Sequence, residues 1–363
     1  MMTMKRIVID GREFLPGKRT GIGRFLEGLI DALADSTLDI EIVLACFYRD
    51  SVPLRLKSRG KIKVKEIPRE FLYSEKALSD LSRQEVSLFI SPYPKLPLFG
   101  LHCPAVHTVH DVLDLRYPAY RRRIKIFFDI FRLKKALKRA DLTWYVSSWS
   151  RKETIKLVGF AGKNPRVRFS GIDECFTPAK RMNENNVAKK YQLEPRYILV
   201  IGNGLAHKNL GVLLKASDRI PRNLVFVGVS QENQNYWKRS YPQAKATWIR
   251  HVDDEDLPSV IRGAFCLAQP STIEGYGFPP VEAMACGVPA VVSNIPVLVE
   301  TTGGNALKAN SEDSCEWVKA FEALEDTDIY KDQIEKGLKW IQSLLGRRGW
   351  QKHISDIEEV LRG

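Results

Sequence analysis

Twice along this chain of 363 residues, short aliphatic runs of strand length alternate with longer stretches whose apolar residues recur at helical spacing. The first series opens with Lys5-Arg6-Ile7-Val8-Ile9-Asp10, followed by 23–34 with Phe25, Leu29, Ala32 and Leu33 on one face. It continues through strands predicted at 40–47, 87–90, 105–109 and 142–146. Unbroken Val-, Ile- and Leu-rich runs joined by helices describe parallel sheets covered on both faces. After a polar stretch at 177–186 the pattern restarts, with strands predicted at 197–201, 224–227, 264–269 and 289–292. The predicted class is therefore α/β, with two Rossmann-like doubly wound domains of parallel sheet facing a cleft. The expected division is 1–175, 176–345 and a final segment 346–363. In that segment a helix over 351–361, after a break at 346–349, is free to cross back to the first domain.

The length suits two α/β cores. No run approaches the ~18 apolar residues of a membrane-spanning helix, and the start leads into a strand instead of a signal peptide, so a cytoplasmic protein is expected. Six widely spaced cysteines with no CxxC pair suggest neither a zinc knuckle nor a disulfide framework. Charge is uneven. Residues 119–170 hold 15 Lys and Arg against 3 Asp and Glu, nearly the whole formal excess of +13. Such a segment attracts phosphates, nucleic acid or anionic lipid head groups. Arg121-Arg122-Arg123 and the stretch 127–138 interleave basic residues with Ile124, Phe127, Phe128, Phe131 and Leu133. That pattern fits a helix with one buried face and a solvated one, and also peripheral contact with an anionic membrane.

The most informative stretch is Ser271-Thr272-Ile273-Glu274-Gly275-Tyr276-Gly277-Phe278-Pro279-Pro280-Val281-Glu282, which follows a predicted strand and runs into Ala283-Met284-Ala285-Cys286-Gly287-Val288-Pro289. Gly275 and Gly277 let the backbone approach a ligand, and Pro279 or Pro280 can open a helix because its missing N–H costs nothing there. The start of such a helix binds a diphosphate through amides and dipole, without a metal ion. Glu282 is expected in the first turn, placed to accept from ribose hydroxyls, with Glu274 nearer the sugar end of a donor. A lone Gly-x-Gly is only a turn, but two glutamates bracketing it at fixed spacing are more specific.

This stretch resembles the signature of the retaining glycosyltransferase family 4, of GT-B architecture, in which two glutamates flank seven residues. Thr20-Gly21-Ile22-Gly23-Arg24-Phe25 resembles the family's glycine loop, and His110-Asp111-Val112-Leu113-Asp114-Leu115-Arg116-Tyr117-Pro118 its His-Asp segment. The resemblance implies a sugar transferred from a nucleotide-diphosphate donor, UDP- or GDP-linked, with retention and with no metal or further cofactor. The acceptor is a glycan, a lipid-linked glycan or a small molecule, in polysaccharide or glycolipid synthesis. It also implies a phosphate-covering role for Gly21 and Gly23, sugar contact for His110, and donor binding by Gly275, Tyr276, Gly277 and Phe278. The base is expected near the loop 250–253, at Val252.

In Gly202-Asn203-Gly204-Leu205-Ala206-His207-Lys208-Asn209 the family usually places an arginine where Asn203 stands and Arg-Lys where His207-Lys208 stands. Lys208 supplies a full charge beside the diphosphate, and His207 is the candidate to replace the missing one. His102, His107, His110 and Asp111 raise a metal site. In a strand over 105–109, however, His107 and His110 point to opposite faces. Two other readings share these features. One is a GT-B epimerase or phosphorylase. The other is a non-catalytic basic protein that binds nucleic acid or membrane.

Overall fold

A computed structural model describes residues 4–17, 20–116, 123–179 and 184–363. Tyr117, Pro118, Arg121 and Arg122, and the side chains of Asp114, Arg116, Arg123 and Ile124, lie outside the described residues. The chain forms two units, one of residues 1–171 with 346–363, the other of 172–345.

The first unit runs β1 (Lys5–Asp10), α1 (Gly21–Ala34), β2 (Ile40–Cys46), α2 (Leu54–Lys57), β3 (Ile62–Glu66), α3 (Phe71–Leu81), β4 (Leu88–Ser91) and β5 (Ala105–Val109). It continues with α4 (Leu113–Arg116), α5 (Arg123–Arg139), β6 (Leu142–Tyr145), α6 (Ser148–Val158) and β7 (Pro165–Val167). The second unit runs α7 (Glu184–Lys190), β8 (Tyr197–Ile201), α8 (Gly211–Leu214), β9 (Leu224–Val227), α9 (Gln231–Ser240), β10 (Ala246–Ile249), α10 (Leu257–Gly263) and β11 (Ala264–Gln269). Then follow α11 (Phe278–Ala285), β12 (Ala290–Ser293), α12 (Pro296–Thr301), β13 (Leu307–Ala309), α13 (Ser314–Ala323) and α14 (Thr327–Ile341); α15 (Gly346–Arg362) returns to the first unit. Among the described residues no helix is long and apolar enough to cross a membrane.

The sheet orders are β3-β2-β1-β4-β5-β6-β7 and β10-β9-β8-β11-β12-β13, with neighbouring strands parallel throughout. Each order reverses once, between β1 and β4 and between β8 and β11. At such a reversal the two connections leave in opposite directions and open a crevice at the strands' carboxyl ends. The four strands not foreseen in the sequence, β3, β7, β10 and β13, are the four sheet edges. An edge strand is covered less and must discourage further pairing, so it is short or charged and carries no continuous apolar run; Ile62-Lys63-Val64-Lys65-Glu66 shows this directly.

Three boundaries differ from expectation. Gly21 and Gly23 form the first turn of α1 instead of a loop before it, because Thr20 caps the helix by accepting from the Gly23 amide at 3.0 Å. The segment read as linker is already helical from Glu184. The break expected at 346–349 is absent, since α15 is continuous from Gly346. Burial of Trp350, His353, Ile357 and Leu361 along one stripe outweighs the ~1 kcal/mol that Gly349 costs a helix.

That stripe packs α15 on α1 and the sheet of its own unit. Asp356 accepts from the Trp144 indole (2.8 Å), from both ends of the Arg168 fork (2.8 and 2.9 Å) and from Arg166. Burial opposes the charge, but these donors hold the Asp356 carboxyl below its usual range. Part of the positive surplus in 119–170 is thus paired within the unit. Arg166 and Arg168 serve α15, Arg132 is buried against Glu75 at 2.6 Å, and Lys156 meets Glu153 at 2.7 Å.

Three histidines of this unit are neutral by burial, with pKa values lowered to about 4 (His107), about 4 (His110) and about 3 (His353). Unfolding returns each to about 6.5, so between pH 6.5 and 4 the unfolded chain binds more protons than the folded one. The stability these groups permit is complete above pH 6.5 and is lost as pH falls, at about 1.4 kcal/mol per pH unit per histidine. The unfolding midpoint of the first unit is therefore expected to drop steeply from pH 7 to pH 5 in a urea titration. Substituting His353 with an apolar residue of similar volume should flatten that slope.

Candidate active site in the second unit

The crevice at β8 and β11 gathers most of the residues expected at the donor site. β11 ends at Gln269, and the turn that follows brings Glu274 back under the sheet edge, where it is buried. Three donors converge on its Oε1: Lys208 Nζ at 2.6 Å, Gln269 Nε2 at 2.7 Å and Ser271 Oγ at 2.7 Å. Lys208 comes from the other side of the reversal, from a 3-10 turn at 206–208 after β8. Two contacts fix that turn against the β11 loop. The Thr272 amide donates to the His207 carbonyl (2.9 Å), and Asn209, in the left-handed region at φ 53°, donates to the carbonyls of Pro270 (3.0 Å) and Ser311 (2.7 Å). A largely buried ion pair of this kind adds little net stability, because desolvation offsets attraction. What it does is hold the Lys208 ammonium in one place.

Gly277 has φ +88°, and a Cβ there would lie 2.5 Å from Leu298 Cδ2, so both conformation and space demand glycine. α11 opens at Phe278, one residue before the prolines. Pro279 and Pro280 carry no N–H, so within the usual four open positions of a helix start only Gly277 and Phe278 offer amides. An anion at this helix start would therefore meet the turn 275–278 with the dipole behind it, and less of the helix's first turn than expected. Glu282 is likewise not in the first turn; it is the fifth helical residue and is buried. The reason is the same, since a left-handed Gly277 starts the helix earlier than a proline would. Tyr276 is buried with its ring 4.9 Å from that of Phe278.

Asn203 is exposed and spends its side chain on the Leu205 amide (3.2 Å), while its carbonyl accepts from Asn233 Nδ2 (2.8 Å). Val252 is buried after β10, in a loop held by Lys190 to Asp253 (2.6 Å) and Asp256 (2.7 Å). It stands three strand positions from β11, roughly 14 Å across the sheet edge at the usual strand spacing. That is enough to separate a base from its diphosphate. Lys208, Glu274 and the 275–278 turn are thus brought together, with Asn203 and Val252 further along the same edge.

In the first unit His110 follows β5 directly. Its ring donates to the Pro92 carbonyl and packs edge-on against Phe25 at 4.9 Å, while Nε2 is buried with no partner among the described residues. His107 turns to Thr143 Oγ1 at 3.0 Å, and among the described residues no three His, Cys, Asp or Glu gather as a metal site would require. Next to His110's strand, the reversal at β1 and β4 holds a polar group that the sequence reading passed over. Arg12 bridges Asp10 (2.7 Å) and Glu75 (2.9 Å), and Glu13 accepts from the Tyr93 hydroxyl (2.9 Å) and from Thr20.

Profiles of known families match both halves. Residues 19–175 match the profile described as Glycosyltransferase Family 4, and residues 182–340 the one described as Glycosyl transferases group 1. The chain belongs to the glycosyltransferases. Within that family it is 32% identical to the O-antigen chain mannosyltransferase B of Escherichia coli over 58% of each chain. It is 28% identical to the O-antigen chain mannosyltransferase RfbU of Salmonella typhimurium over 60% of each. The matched stretch thus spans somewhat under two thirds of these relatives. Among solved structures, sucrose-phosphate synthase from Thermosynechococcus elongatus superposes with a TM-score of 0.77 over 99% of this chain and 98% of its own, at 17% identity. Anabaena HepE in complex with UDP-glucose gives 0.76 over 98% and 100%, at 16% identity. At such identity the structural likeness speaks for the fold.

Gln269, Ser271 and Asn209, which fix the Lys208–Glu274 arrangement, were not anticipated, although each carried a signal. Gln269 and Ser271 flank the end of a strand that is otherwise apolar, where a polar side chain needs a partner. Asn209 follows Lys208 and, as an asparagine, tolerates the left-handed conformation the turn requires.

Proposed function

We propose that the chain transfers a mannosyl group from a nucleoside-diphosphate sugar, UDP- or GDP-linked, to a glycan acceptor in surface-polysaccharide synthesis, with retention of configuration and without a metal ion. The mannosyltransferases among its relatives support the sugar and the acceptor class. The observation that carries the reading is the Lys208–Glu274 pair, fixed at 2.6 Å beside the glycine turn at the β8/β11 reversal.

In this reading the diphosphate lies against the Gly277 and Phe278 amides and draws Lys208 toward itself. Tyr276 and Gly275 shape the turn, Glu282 receives the ribose hydroxyls, Val252 borders the base, and Asn203 and His207 flank the phosphate. As the bond from the sugar's anomeric carbon to the phosphate oxygen breaks, the electron pair leaves with the phosphate. Donors already in position stabilise that charge more in the transition state than before it. Glu274, released from part of its pairing with Lys208, offsets the positive charge growing on the sugar. The acceptor hydroxyl bonds to the anomeric carbon on the face the phosphate leaves, and its proton passes to the leaving phosphate. His110, neutral and with an open acceptor at Nε2, is assigned to a sugar hydroxyl, and Gly21 and Gly23 keep the phosphate-covering role given by the resemblance. The acceptor is read as lipid-linked, and the enzyme as a cytoplasmic protein working at the inner face of a membrane.

The test is a panel of UDP- and GDP-sugars with EDTA present, following release of nucleoside diphosphate and analysing the product. Transfer of mannose from one donor, with the anomeric configuration kept, is expected. A requirement for added divalent metal, or products that are free sugar phosphate or an isomerised nucleotide sugar, would overturn the reading.

A further inference from the structure

The outward face of α5 has no role in the site above, and its composition is unusual for a surface. Phe127, Phe131, Lys134, Lys135 and Lys138 fall on one stripe of the helix, three, four or seven residues apart. All five are exposed, Phe127 by 83% and Phe131 by 58%. The opposite face is the ordinary one, with Leu133, Ala136 and Leu137 buried in the unit's core. The start of α3 extends the apolar end, since Phe71 meets Phe128 edge-on at 6.4 Å and Leu72 and Tyr73 are exposed beside it.

This face is built, not loose. The buried Arg132 guanidinium lies 5.7 Å from the Phe71 ring and 5.9 Å from the Phe128 ring, and it is held by Glu75 Oε2 at 2.6 Å and the Leu96 carbonyl at 2.9 Å. The Phe71 and Phe128 rings are therefore presented by a fixed platform, and the exposed apolar area beside them is one that a soluble surface ordinarily avoids. Asp129 is the sole acidic residue of α5, against seven Lys and Arg.

We infer that this face docks on an anionic lipid surface, with Phe127, Phe131 and the α3 aromatics entering the head-group boundary and Lys134, Lys135 and Lys138 meeting lipid phosphates. The charge decides the occupant. Apolar rings alone would suit a protein groove, but rings continued by a row of lysines match a surface that is apolar beneath and negative above. The inference takes its purpose from the lipid-linked acceptor of the preceding section, yet it is tested without any transfer step.

The full chain is sedimented with vesicles of phosphatidylcholine alone, and with vesicles of phosphatidylcholine and phosphatidylglycerol in equal parts, at low and high salt. Binding to the mixed vesicles is expected, at least about tenfold stronger than to phosphatidylcholine and weakened by salt. Phe127→Asp with Phe131→Asp, and separately Lys134→Glu with Lys135→Glu, should each reduce it about tenfold or more, at roughly fivefold per lysine charge removed. Both pairs are on exposed positions, so an unchanged thermal midpoint and an unchanged circular dichroism spectrum serve as the control for folding. Equal sedimentation of all variants, or no binding by the wild type, overturns the inference. So does a dimer in solution that Phe127→Asp converts to monomer, which would give the face to a second copy, or tight binding of an RNA oligomer indifferent to the phenylalanines.

Discussion

Replacing Glu274 with Gln is expected to lower kcat about a hundredfold to a thousandfold, with KM for the donor changed only a few-fold. The substitution keeps volume and the ability to accept from Ser271 and Gln269, but it removes the charge that pairs with Lys208 at 2.6 Å. Lys208→Ala should cost about as much in kcat and should also raise KM, because the lysine meets the diphosphate in the ground state as well as in the transition state. The two losses should not add. Each residue positions the other, so the double variant is expected to be little worse than the poorer single one. Wild-type turnover in both single variants would place the chemistry elsewhere.

Trp350→Ala is expected to destabilise the first unit by about 3–5 kcal/mol, read as a shift in its urea midpoint. The indole is buried where α15 meets α1, 5.2 Å from the Phe25 ring and 5.0 Å from the His353 ring. The chain makes room for it with two glycines, since a Cβ on Gly28 would stand 2.6 Å from the indole and one on Gly171 2.3 Å. Gly28 lies inside α1, where alanine ordinarily gains about 0.5–1 kcal/mol. Here Gly28→Ala is expected instead to cost about 1–3 kcal/mol by overpacking. In a Trp350→Ala background the sign should revert, because the obstacle is gone. Phe25 also carries His110 on its edge at 4.9 Å, so Trp350→Ala should lower kcat even under conditions where the protein remains folded.

The interior strands were legible because a strand covered on both faces has no choice but an aliphatic run, as in Tyr197-Ile198-Leu199-Val200-Ile201. The edges β3, β7, β10 and β13 were not, because an edge is specified by pairing and by charges against further pairing. Periodicity also could not show that Gly349 sits inside a helix. What keeps that helix whole is tertiary, the packing of Trp350 and His353 on α1 and the Asp356 pairing with Arg166 and Arg168. At the site, Gly277 and Glu274 were readable because glycine and a bracketing carboxylate are local signals. The expectation that Glu282 lies in the first turn failed on a detail of the same loop, a left-handed glycine that starts α11 ahead of two prolines. Arg12, Glu13 and Tyr93 had no local signal at all. They meet only because β1 and β4 are neighbours in the sheet though about eighty residues apart in sequence.

In the proposed reaction a nucleoside diphosphate is held at the β11–α11 turn by amides and Lys208. Calorimetric titration of UDP and of GDP into the protein in EDTA tests this without any acceptor. One of the two should bind the wild type, and Lys208→Ala should weaken that binding about tenfold or more, the worth of one charge-assisted hydrogen bond. Binding that is absent without a divalent ion, or undiminished in Lys208→Ala, would contradict the account.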